Sequence, residues 1–87
     1  MTVSADLPGG ERGEVMGLEG ERMLVVSPRA FAPGAPLRLV LHLPDGELAV
    51  EGRTVGSRRR PDQAFDVRLR LVNVKRADRE RLAALLT

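Results

Sequence analysis

Leucine occupies every second position over residues 37–43. Leu37, Leu39, Leu41 and Leu43 are interleaved with Arg38, Val40 and His42. A period of two places one leucine face inward on a β-strand. Pro44, Asp45 and Gly46 then read as a tight turn, because Pro presets its own φ and Gly tolerates a positive one. The chain returns over residues 47–55 to make a hairpin, and Gly52 inside that run marks a bulge or a close backbone approach. Residues 56–64 form a second exposed turn. Residues 65–72 alternate again, with Phe65, Val67, Leu69 and Leu71 inward and Asp66, Arg68 and Arg70 outward. Earlier in the chain, residues 14–16 and 22–26 form a strand pair across a glycine-containing charged loop at 17–21. Three prolines and a glycine in residues 27–36 require a connection, from which Phe31 packs down onto the core.

Toward the C-terminus the period changes. Residues 77–86 are good helix formers, Asp78 lies where the helix dipole favours negative charge, and Leu82, Leu85 and Leu86 fall on one stripe. The stripe is expected to cover an open end or face of the sheet. Residues 1–12 read as a flexible lead-in, because Pro8, Gly9 and Gly10 give the backbone no reason to stay regular. A single domain over residues 13–87 remains. Its element order predicts a mainly β fold of antiparallel strands with a C-terminal helix, and a small half-open barrel of about six strands fits the chain length.

Composition narrows the function classes. A chain of 87 residues supports one modest core. With only two aromatic residues, Phe31 and Phe65, that core must be aliphatic. There is no cysteine, which excludes disulfides and cysteine-based metal sites. There is no run of about 18 apolar residues, so no spanning helix or membrane insertion is expected. The first residues lack a basic start and an apolar stretch, so no secretory signal is read there and a cytoplasmic home is expected. The net charge of +2 is unevenly spread. Residues 1–51 hold four arginines against eight carboxylates, a balance of −4, and residues 52–87 hold ten basic residues against four carboxylates, a balance of +6. Such a split steers an anionic partner to one side if the halves separate in space.

Catalytic chemistry is hard to find. His42 is the only histidine, sits among leucines and has no nucleophile motif around it. The acids show no metal-ligand spacing. No enzyme, catalytic residue or metal is expected. Arg58, Arg59 and Arg60 form the strongest basic feature; they read as a solvated hairpin tip, with phosphate, an acidic protein face or a membrane surface as alternatives. Nucleic acid is not expected as a partner, since three basic residues are few and no Tyr or Trp is available to stack on bases. Arg68 and Arg70 share a strand face with Arg53 beside them. They are either ordinary outward alternation or a patch for a partner.

The order and texture of residues 13–86 resemble the PilZ domain family, the bacterial module that binds cyclic-di-GMP. The stretch GEVMGLEGERMLVV matches the family's motif strand pair, PLRLVLHLPDGELAVEGRTV its central hairpin, AFDVRLRLV its late strand and ADRERLAALL its closing helix. The resemblance implies a barrel with nucleotide-binding residues in Asp/Asn-x-Ser-x-x-Gly, preceded by Arg-x-x-x-Arg. Here the first motif reads Gly17, Glu19 and Arg22, and only Arg12 stands upstream. Gly17 offers no side chain. Glu19 and Glu21 bring negative charge toward an anionic ligand, a repulsion of about 1 kcal/mol even in water. The expected function is therefore a PilZ-like adaptor in bacterial signalling, motility or polarity. It would bind a protein, with no cofactor and with cyclic-di-GMP disfavoured. The alternative is a cyclic-di-GMP receptor of altered mode that uses Arg12 with Arg58, Arg59 and Arg60. A homo-oligomer through an exposed leucine-bearing helix is also compatible with the sequence.

Overall fold

A computed structural model describes residues 2–86; Met1 of the expected lead-in and Thr87 at the end of the expected domain lie outside the described residues. Six strands and one helix follow in order: β1 (Val3–Asp6), β2 (Arg12–Glu19), β3 (Arg22–Ser27), β4 (Pro36–Leu43), β5 (Gly46–Arg59), β6 (Phe65–Val72) and α1 (Arg76–Leu86). All pairings are antiparallel, in the closed order β1-β2-β3-β6-β5-β4. The mainly β class, the six-stranded barrel and the C-terminal helix are as expected, although the sixth strand is β1, in the segment read as a lead-in.

The interior is filled by the alternating positions. Leu37, Leu39, Leu41 and Leu43 from β4 meet Val67, Leu69 and Leu71 from β6, and Val15, Met23 and Val25 from β2 and β3; all are buried. Pro44 and Asp45 turn β4 into β5, with Gly46 at φ 138°. Gly52 marks a close approach: a Cβ there would stand 3.0 Å from the Arg70 carbonyl oxygen. Phe31 packs against the core as expected. The Ser57 hydroxyl holds its backbone, accepting from the Phe31 N–H at 3.0 Å and donating to the Phe31 carbonyl at 2.8 Å.

Four expectations are corrected. Residues 1–12 are not a flexible lead-in: β1 pairs with β2 and β4, buries Val3 and Ala5, and leads to buried Leu7 before a single 3-10 turn at Pro8–Gly10. β1 also closes what was expected to be a half-open barrel, through Ala5↔Leu41 and Asp6↔Val40. The loop expected at 17–21 shrinks to Gly20 and Glu21, because β2 runs on to Glu19. The turn expected at 56–64 begins only after Arg59, so Arg58 and Arg59 are strand residues.

Helix α1 begins one residue earlier than predicted, with Asp78 in its first turn. Leu82 is fully buried, and Leu85 and Leu86 pack partly buried against the barrel core. The leucine stripe is thus applied to its own barrel, not left exposed. Arg81 ties the helix to the β4–β5 turn through Asp45 at 2.5 Å.

Candidate functional site

The outer wall of β2, β3, β6 and β5 is ordered by cross-strand register. One row runs Glu19, Arg22, Arg70, Arg53, each directly opposite the next. The neighbouring outward row runs Gly17, Leu24, Arg68, Gly56. Glycine at both ends of this second row leaves Leu24 and Arg68 beside each other, with no side chain in the row beyond either. The Arg68 guanidinium reaches across Gly56, where a Cβ would meet its Nη2 at 3.3 Å. Space above Gly17 is open.

Both ends of that row are β-bulges. The β2–β3 register shifts between Val15 and Gly17, and the β5–β6 register between Thr54 and Gly56. The extra residues are Met16 and Val55, the exposed large apolar side chains among the described residues, at 40% and 47%. A bulge inserts one unpaired residue and re-aims the chain. The bulges therefore turn Gly17 and Gly56 outward and push Val55 toward solvent. The result is a groove of about 430 Å³, between this wall and the C-terminal end of α1. Leu24, Val55, Ala83 and Leu86 are among its apolar walls, and Glu19, Arg22 and Arg68 are its charged residues.

The three motif positions Gly17, Glu19 and Arg22 thus line one groove together with Arg68. Arg53 and Arg70 lie beside it in the Arg22 row. Arg70 is paired with Glu21 at 3.1 Å, and Arg53 donates to the Gly34 carbonyl at 3.3 Å. Among the described residues, no carboxylate lies within ion-pair distance of Arg22 or Arg68.

The remaining arginines go elsewhere. Arg12 opens β2 and pairs with Asp6 at 3.4 Å. The shallow groove it lines, with Glu14 and Ala64, contains none of Arg58, Arg59 or Arg60. Arg58 stands opposite Asp66 in register, and Arg59 opposite Phe65. As neighbours on a strand, these two point to opposite faces. Arg59 donates to the Gln63 side chain. Arg60 binds Asp66 at 2.8 Å and Asp62 at 3.4 Å. Its pKa is raised above the ordinary arginine value, first by the hydrogen bond to Asp66 and then by that carboxylate's charge. The three residues are therefore spread over a strand end and a turn, with Arg59 held by Gln63 and Arg60 by Asp66 and Asp62.

His42 lies at the seam of the barrel between two carboxylates, Nε2 being 3.0 Å from Asp6 and Nδ1 3.4 Å from Glu47. Among the described residues, no group of three or more His, Asp or Glu side chains is arranged to hold a metal ion.

Sequence reasoning did not find Leu24, Val55, Ala83 or Leu86 as groove residues. Val55 carries a weak signal: it is apolar at an outward position just before a glycine. The helix contribution has no local signal, because it depends on where α1 docks.

The family model for the PilZ domain matches residues 12–87. No curated protein and no solved structure matches the chain.

Proposed function

The chain belongs to the PilZ family, and from that premise we propose that it is a non-enzymatic adaptor that binds a protein rather than cyclic-di-GMP. PilZ domains are binding modules, which supports cyclic-di-GMP binding or adaptor signalling as the general role. The observation that carries the narrower reading is the chemistry at the motif positions. Gly17 supplies neither donor nor acceptor from a side chain, and the space above it is open. Glu19 lines the same groove and adds an acceptor and a negative charge, where guanine edges and phosphates call for hydrogen-bonding partners and cations. Upstream, a single Arg12 pairs with Asp6, so the two-arginine clamp that would stack on guanine and fork onto phosphate has no second member.

The partner belongs, on this reading, to a bacterial signalling, motility or polarity system in the cytoplasm. No helix among the described residues is long and apolar enough to cross a membrane. The test is titration of the whole chain with cyclic-di-GMP by isothermal calorimetry. No saturable heat is expected, and no upward shift in melting temperature at saturating nucleotide. Saturable binding at a defined stoichiometry would overturn the proposal.

A further inference from the structure

We propose that the groove between the β3–β6–β5 wall and the end of α1 is the docking site for an acidic segment of a partner protein, anchored by large aliphatic side chains. The inference rests on the adaptor reading above and assigns it a surface.

Charge is the first argument. Arg22, Arg70 and Arg53 are exposed and directly opposite one another on three adjacent strands. Like charges in that arrangement repel and weaken the sheet. Among the described residues, only Arg70 of the three has a carboxylate within ion-pair distance, Glu21. Arg68, one row away, lines the groove with Arg22, and neither has an acidic neighbour within ion-pair distance among the described residues. The barrel's own acids offset this stripe only in part: Glu21 meets Arg70 and Glu19 faces Arg22 in register, against the four arginines Arg22, Arg53, Arg68 and Arg70, so the surface keeps a positive excess. Carboxylates supplied from outside would relieve the repulsion and form forked bonds to the guanidinium groups.

Shape is the second argument. A volume of about 430 Å³ falls within the ~300–1,000 Å³ of cavities that enclose a ligand or an anchoring group. Its walls are mostly aliphatic, and Val55 is held out on a bulge at 47% exposure. A concave apolar trough receives side chains from a segment laid along it. A bilayer surface is better met by apolar groups that protrude from a convex face. A nucleic acid would call for aromatic side chains to stack on, and the lining has none. The outward side of α1 is charge-balanced, with Arg76 paired to Glu80 and Arg81 to Asp45, so the same helix of a second copy would bring no excess of carboxylates to the arginine stripe.

The experiment selects random short peptides displayed on phage against the immobilised full chain. Representative winners are then measured as labelled synthetic peptides by fluorescence anisotropy. Enrichment of acidic residues interleaved with Leu, Ile, Val or Met is expected. Affinity should fall about ten-fold or more in an Arg22→Glu, Arg68→Glu double variant, and by a similar factor in Val55→Asp, with weakening as salt is raised. Thermal melts by circular dichroism check that the variants fold. Arg22→Gln with Arg68→Gln replaces the charge reversal if that variant does not fold. The proposal is overturned by any of four results: no enrichment; winners without acidic bias; winners that bind all groove variants as tightly as the parent chain; or capture of phosphatidylserine vesicles through these same arginines in place of peptides. A dimer in light scattering that Val55→Asp abolishes would also overturn it, assigning the groove to a second copy. The cyclic-di-GMP titration separates the two failures. Saturable nucleotide binding removes the adaptor reading itself, whereas unchanged peptide binding in the groove variants removes only this surface.

Discussion

Among the described residues, Thr54 is one of two buried polar ones, at 3% exposure, and its hydroxyl has no hydrogen-bond partner there. Ser27, the other, donates to the Arg29 carbonyl at 2.7 Å and accepts the Arg29 N–H at 3.1 Å. The contrast makes Thr54 the removable cost. A buried hydroxyl without a partner costs on the order of 1 kcal/mol or more, and valine has nearly the same shape without the hydroxyl. Thr54→Val is expected to stabilise the chain by about 1 kcal/mol, raising the melting temperature by a few degrees in differential scanning calorimetry, roughly 4–8 °C for a domain of this size. Thr54 precedes Val55 in the bulge that shapes the groove. Its backbone N–H donates to Ala35 and its carbonyl accepts from Gly34, both independent of the side chain. The substitution therefore leaves the groove's walls in place while it removes the orphaned hydroxyl.

At the scale of elements, α1 is held by one deep side chain and a polar tether. Leu82 is fully buried, while Leu85 and Leu86 are only partly so. Leu82→Ala removes the anchor and leaves a cavity. A loss of about 3 kcal/mol is expected, measured as a lower midpoint in chemical denaturation. Arg81→Ala removes only the half-exposed ion pair to Asp45, which for surface pairs is worth about 0–1 kcal/mol. The element scale also explains what the sequence could and could not disclose. The β4 leucines, the Pro44–Asp45 turn and the helix stripe are local periodicities, so β4, β6 and α1 were legible almost to the residue. The bulges at Met16 and Val55 were not, because a bulge changes which side a residue faces only relative to the strand paired with it. Gly17 and Glu19 were legible as departures from a family motif. Their meeting with Arg68, Val55 and Leu86 was not, because it depends on β3–β6 register and helix docking across the barrel.

For the whole molecule, the decisive element is β1, which precedes the stretch that the family model matches. Val3, Ala5 and Leu7 do alternate in the sequence, but Ala5 is small and the following Pro8, Gly9 and Gly10 read as a break. Its pairing with β2 is near in sequence, but the contacts that close the barrel through it lie far along the chain, at Leu41 and Val40. Asp6 strengthens the same seam, meeting Arg12 on β2 and His42 on β4. Burying Val3, Ala5 and Leu7 contributes about 4–5 kcal/mol as an upper estimate. Total stability for a small domain is roughly 5–15 kcal/mol. Removing β1 also uncovers the strand edges of β2 and β4, which a closed barrel hides. A chain that begins at Arg12 would retain the family-matched segment in full. It is nevertheless expected to lose cooperative thermal unfolding and to elute as aggregate in size-exclusion chromatography. A monodisperse truncation that melts within a few degrees of the parent would show instead that β2 to β6 and α1 suffice as a folding unit, with β1 an appended strand.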